Sequence, residues 1–414
     1  MPGFDLQFAS LGRVRVFVIP RRGWLTAMGG MLVATPAWTQ TVPVRTLPEP
    51  EASFAHGFTR VAGVRELSDG RVIVLDVNDR TVQVIDSAWN TMTQIGRHGS
   101  GPGEYIAPYA LFPLPGDSTA VPDRQNMRML VITPDTKPGG FLNPAGAAGR
   151  GRKRYPSERV GAGGLGLLPA STSDGHGYYY TRAQPIVVSS TGKLELADSM
   201  AIERWSAMSA KRDTAGFVPY TLPPNSQILK GMFFYQPTDF RAFQAHDQWA
   251  VAPDGRLAIV HVEPYRVDFV TPSGERRNGP LIAYDPVRMT EAHKRQWREE
   301  QRQSRPTIVV TPDGRSGTVN TTSPPREPKW PKYLPPFVRY PAAHFASDGM
   351  LWVERTTPVG EPHTFDIIDG TGRVIEQLKL PVKRRLVGFG RGTVYLVRVN
   401  EVDLEFLERY RLGR

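Results

Sequence analysis

Cysteine is absent from the 414 residues. Disulfides, thiolate metal centres and a cysteine nucleophile are therefore excluded. Lysine is scarce: only ten of the 51 basic residues, so the net charge of +11 is carried almost wholly by arginine. No basic run alternates with aromatics at a regular spacing, and the short clusters Arg150–Arg154 and Lys383–Arg385 stand alone. The charge reads as an arginine-rich solvated surface, with no specific nucleic-acid partner expected. The apolar stretch from Trp24 to Ala37 falls short of the roughly 20 residues that span a bilayer. His-x-His and His-x-x-x-His spacings are missing, and so is a Gly-x-Ser-x-Gly nucleophile elbow. A serine-hydrolase triad is left without support.

What the chain has in quantity is punctuation. Gly 40 and Pro 38 suit many short strands and turns and argue against a helical bundle. The sharpest unit is Val61–Leu67, a Ser68-Asp69-Gly70 turn, Arg71–Asp76, a short gap and Thr81–Asp86, with Trp89–Ile95 as a fourth strand. Runs rich in β-branched residues joined by Asp-Gly turns read as an antiparallel meander, because tight turns demand conformations that β-branched residues resist. Five further copies follow. They are expected at Leu111–Thr133, at Leu167–Ser189 with Ile186–Ser189 as its third strand, at Trp249–Gly274, at Phe345–Gly370 and at Leu386–Leu412. Six units that cannot bury their own faces imply a closed array, an all-β six-bladed propeller of four-stranded blades. Phe54–Arg60 is the candidate ring-closing strand, pairing into the last blade. Asp285–Gln303 reads as a polar helix with Thr290 as N-cap, and Arg305–Pro336 as an extended loop.

The first 40 residues differ from the rest. Arg21-Arg22, the apolar stretch Trp24–Ala37 and the small residues Thr35-Pro36-Ala37 form a secretory signal pattern, with Arg-Arg-Gly-Trp-Leu faintly similar to a twin-arginine signal. Residues 1–40 are expected to be removed on export to the periplasm or the outside. The mature chain, 41–414, is then a single propeller with an insertion at about 285–336, no membrane span and a monomeric state.

Between the first two units stands Gly96-Arg97-His98-Gly99-Ser100-Gly101-Pro102-Gly103-Glu104-Tyr105, followed by Pro108. It lacks the Gly-Lys-Ser/Thr ending of a phosphate loop, and Pro102 removes an amide. This phrase, with the closing segment Val394–Leu412, resembles the bacterial exported six-bladed β-propellers related to NHL-repeat proteins. The resemblance implies the fold over roughly residues 55–412 and no particular activity.

Four polar residues near the expected inner strands are candidates for a binding site at the channel mouth: His56, His246, Asp247 and His344. Converging imidazoles can bind a transition metal or act as a general base. With no catalytic constellation assembled, the chain reads as a non-catalytic module for a small molecule, a peptide or a protein, without a cofactor. The alternative is a metal-dependent hydrolase or lyase, lactonase-like, with a divalent ion in the central channel. The Tyr178–Tyr180 run, Trp249 and Trp352 are expected to pack between blades.

Overall fold

The computed structural model describes residues 42–142, 172–206, 209, 211–223, 225–229, 232–234, 241–303, 307–310, 316–319 and 327–413. The expected signal segment, the Arg150–Arg154 cluster and Leu167–Ala170 lie outside them.

Six four-stranded antiparallel blades form a six-bladed β-propeller, and Val44–Thr46 adds a fifth, parallel strand to the outer edge of blade 5. Blade 1 comprises Val61–Glu66, Val72–Asp76, Thr81–Ile85 and Met92–Gln94, in that order from the axis outward. Blade 2 comprises Phe112–Pro113, Thr119–Asp123, Arg128–Ile132 and Pro138–Leu142. Blade 3 comprises Thr172–Ser173, Tyr178–Arg182, Ser199–Ser206 and Arg212–Pro219, and blade 4 Gln248–Val251, Leu257–His261, Arg266–Val270 and Arg276–Arg277. In blade 5 the strands are Ala343–Phe345, Leu351–Glu354, Thr364–Ile368 and Val374–Lys379. Blade 6 has Arg384–Gly390, Thr393–Val399 and Glu405–Arg411 from the end of the chain, and its outer strand is Ala52–Phe58 from the beginning. The ring-closing strand thus lies where the sequence suggested.

The core explains why the blades need one another. Six buried apolar clusters occur among the described residues, and each straddles one interface between neighbouring blades. Trp352 of blade 5, fully buried, packs at 5.0 Å centroid distance on Phe389 of blade 6. Trp249 of blade 4 packs with Tyr180 and Ile202 of blade 3. A sheet with both faces apolar cannot stand alone in water, and a ring covers every face. Within the tyrosine run, Tyr179 and Tyr180 are buried and Tyr178 is exposed.

Aspartates at strand ends tie the ring together. Asp76 ends the second strand of blade 1 and accepts from Thr59 N and Oγ1, Arg60 N, Asn78 N and Asp79 N. Asp123 does the same in blade 2, accepting from Ile106 N, Ala107 N, Gln125 N and Asn126 N. Each holds the segment by which the chain arrives from the preceding blade. The glycine-rich phrase between blades 1 and 2 is filled by its own carboxylate: Glu104 accepts from Gly101 N at 2.6 Å and from Arg97 Nε at 2.7 Å. Tyr105 Oη donates to Ile95 O and accepts from Val82 N, each at 3.0 Å. Gly96 sits at φ +70°, and a Cβ there would stand 2.6 Å from Gly103 O, so only glycine serves.

Two sequence expectations need correction. Ile186–Val188 is not the third strand of blade 3; it pairs with Leu194–Leu196 in a separate hairpin, and Ser199–Ser206 takes the place in the blade. The longer strand offers eight residues for pairing, where the shorter run offers three. Within Arg305–Pro336, Thr307–Val310 and Ser316–Val319 form a two-stranded hairpin, so that stretch is not wholly loop. The gap before blade 4 holds another hairpin, Gln227–Leu229 with Met232–Phe234. The polar helix spans Glu291–Gln303; Thr290 N donates to His293 Nδ1 at 3.1 Å, and Trp297 is buried against Trp330. No helix among the described residues is long and apolar enough to cross a membrane.

Candidate mouth of the channel

Antiparallel pairing fixes which side chains can meet. In every blade the first, innermost strand begins at the end of the ring where the second strand finishes and the third begins. Residues that lead into first strands, finish second strands or open third strands therefore share one end of the channel.

At blade 6 that end is built on two buried glutamates. Glu405 opens the third strand and accepts from Val61 N at 2.7 Å, Arg60 Nη1 at 3.0 Å and Arg385 Nη2 at 2.7 Å. Glu408 accepts from Arg384 Nε at 3.0 Å, Arg398 Nε at 3.1 Å and Tyr410 Oη at 2.6 Å. Each carboxylate, with only 3% of its side chain exposed, holds two guanidiniums. Burial comes first in holding the Arg385 guanidinium below its ordinary value; Glu405 opposes this, while nearby Arg60 and Arg339 reinforce it.

Blades 4 and 5 continue the rim. Gln248 of blade 4 donates from Nε2 to Arg339 O at 2.6 Å and accepts from Ala342 N at 2.7 Å, clasping the segment that leads into blade 5. That clasp presents Tyr340, 63% exposed, whose ring lies 5.8 Å from the Arg182 guanidinium at the end of the second strand of blade 3. Arg339 Nε lies 3.0 Å and His363 Nδ1 2.6 Å from Glu354 Oε1.

Three of the four sequence candidates sit at this end, in adjacent blades. His246 precedes the first strand of blade 4, its ring 6.0 Å from that of Tyr220. Burial lowers its proton affinity, nearby Arg182 lowers it further, and Asp247 opposes both. The Asp247 carboxylate is occupied: Oδ2 lies 2.6 Å from His261 Nδ1, and Oδ1 accepts from Val262 N at 2.9 Å. His344 lies in the first strand of blade 5 opposite Trp352; burial pushes its imidazole below the ordinary value, and Glu354 opposes this. His56 is separate from these three. It lies exposed in the ring-closing strand, which pairs on the outer edge of blade 6, so it faces the perimeter instead of the channel. Among the described residues no three His, Asp or Glu side chains are grouped to hold a metal ion.

Sequence reasoning passed over Arg182, Arg339 and Tyr340, and took Arg384 and Arg385 only as part of an isolated basic cluster. One usable signal was present: Arg384-Arg385 opens the sixth unit at the register of a first strand.

No family model matches the chain. No curated protein matches it either. Its backbone is similar to a member of the DUF4221 family from Bacteroides vulgatus, at 10% identity and a TM-score of 0.46, over 88% of this chain and 97% of that one. It is similar to a calcium-binding protein, regucalcin, from Agrobacterium tumefaciens, at 10% identity and a TM-score of 0.39, over 90% and 98% of the two chains. Virginiamycin B lyase from Staphylococcus aureus aligns at 11% identity and a TM-score of 0.34, over 88% of each chain.

Proposed function

We propose that the protein is an exported binding module, whose propeller takes a small molecule, peptide or protein at the channel mouth formed by blades 3 to 6. The observation that carries this reading is the clasp of Gln248 on the Arg339–Ala342 segment. It fixes an exposed aromatic ring, Tyr340, beside Arg182 at the rim of the channel. A rigid aromatic with a polar tip, flanked by a guanidinium, is a common recognition element, because large area is buried at small entropic cost. His246 and His344 belong to this site in the proposal, with Asp247 as the support of His261 behind it. Export is supported by the Arg21-Arg22 and Trp24–Ala37 pattern.

A ligand screen by thermal shift tests the reading. Wild type should show saturable stabilisation by at least one compound or peptide, lost in Tyr340→Ala and in His246→Ala while their unliganded melting temperatures stay put. A stoichiometric divalent metal in purified wild type, lost on His246→Ala with His344→Ala, would replace the reading with a metal-dependent hydrolase or lyase.

A further inference from the structure

Resting on the binding reading, we propose that the channel mouth selects small anionic ligands bearing carboxylate or phosphate groups. Pairing within the arginine cluster is unequal. Glu405 holds Arg60 and Arg385; Glu408 holds Arg384 and Arg398; Glu354 holds Arg339 together with His363. Arg182 has the Tyr340 ring beside it and no carboxylate partner among the described residues. Within this cluster six guanidiniums thus share three carboxylates, while Asp198 and Glu263 lie exposed beside the third strands of blades 3 and 4. Asp76 also lies there, but its oxygens are taken up by backbone N–H groups and the Thr59 hydroxyl. Asp247 is matched by His261.

The placement of the carboxylates matters as much as the count. Glu405 and Glu408 are buried, while Arg60, Arg339 and Arg398 keep 52%, 47% and 38% of their side chains exposed. At these pairs the acidic groups lie behind and the cationic groups in front. The buried glutamates also hold the guanidiniums in place before any ligand arrives, which lowers the ordering cost of binding. Arginine's planar fork matches carboxylate and phosphate oxygens. Arg60 and Arg339 each repel the Arg385 guanidinium, a repulsion that a bound anion relieves.

The test uses full-length mature protein with citrate and inorganic pyrophosphate as probes. Titration calorimetry and thermal shift are run against KCl at matched ionic strength. The expected result is saturable binding of at least one probe, weakened about ten-fold or more in Arg182→Gln/Arg339→Gln, as for loss of charge-assisted hydrogen bonds. Arg182→Lys, which keeps charge and loses the fork, should fall between. Equal effects of probe and KCl, or full affinity in the double variant, would overturn the inference. Should the double variant fail to fold, Arg182→Gln alone decides, since Arg182 holds no ion pair among the described residues. A neutral ligand that binds the mouth while both anions fail would leave the binding reading standing and sink the anionic one; failure of every compound class would sink both.

Discussion

Tyr265 of blade 4 donates its hydroxyl hydrogen to Asp366 of blade 5 across 2.9 Å. Both groups are buried, Asp366 completely, and Arg355 Nη1 and Gln377 Nε2 supply the other donors at 3.2 and 3.0 Å. The bond joins two sheets whose shared interface is otherwise lined mainly by apolar side chains. Tyr265→Phe leaves a buried acceptor short of a donor and should cost about 1–3 kcal/mol, read as a lower urea midpoint with an unchanged slope. A midpoint equal to wild type would show that the hydroxyl contributes nothing.

The same aspartate sets a pH dependence. Burial raises the Asp366 carboxyl above the usual carboxylate range, against the pull of Arg355, the Tyr265 hydroxyl and Gln377. A value raised by folding contributes stability that is complete below the unfolded value of about 3.9 and lost as pH rises through the folded one. Asp366→Asn removes that titration. Its stability relative to wild type should improve from about pH 3.5 upward, through the folded value and no further. Urea unfolding across that range checks this, and a constant difference would refute the sign.

Asp76 titrates in the opposite sense. Burial alone would raise its carboxyl, but N–H donors from Asp79, Arg60 and Thr59 and the Thr59 hydroxyl hold it below its ordinary value. The stability it contributes is present above about pH 3.9 and lost as pH falls through the lowered value. Asp76→Ala should cost about 2–4 kcal/mol at neutral pH. The gap to wild type should narrow in acid; a gap that persists at about pH 2 would count against it.

Ring closure can be probed by truncation. A chain beginning at Thr41 keeps Ala52–Phe58 and should melt as the full chain does. A chain beginning at Arg60 loses the outer strand of blade 6 and exposes Tyr395, Val397 and Leu407, which pack with Phe54 and Phe58. It should lose the single cooperative transition. Identical melting of the two would show that closure is dispensable.

The innermost strands of blades 6 and 1 meet closely at Gly388, where a Cβ would stand 2.6 Å from Val64 Cγ2 and 3.0 Å from Val64 O. Gly388→Val overpacks this interface and should cost about 2 kcal/mol or more. Thermal unfolding reads it out; an unshifted melting temperature would mean the blades separate freely there.

Blades were legible wherever an Asp-Gly turn joined two β-branched runs, as at Asp69-Gly70 and Asp348-Gly349. Those turns fix a local geometry that neighbours do not override. Blade 3 was misread because Ile186–Val188 carries the same local pattern as a blade strand, while the competition between it and Ser199–Ser206 is settled by pairing with Tyr178–Arg182. Of the candidate site, His246, Asp247 and His344 were found because they flank first strands. His56 was grouped with the inner strands although it belongs to the ring-closing strand, which pairs on the outer edge of blade 6. Arg182, Arg339 and Tyr340 come together only once blades 3 and 5 take their places around one axis, and nothing in their spacing announces that.

Ala52–Phe58 is synthesised well before its partner Glu405–Arg411. Until that partner emerges the final joint of the circle lies open. A ring closed by segments so far apart in sequence has a long interval in which its unpaired strand needs shielding from its neighbours.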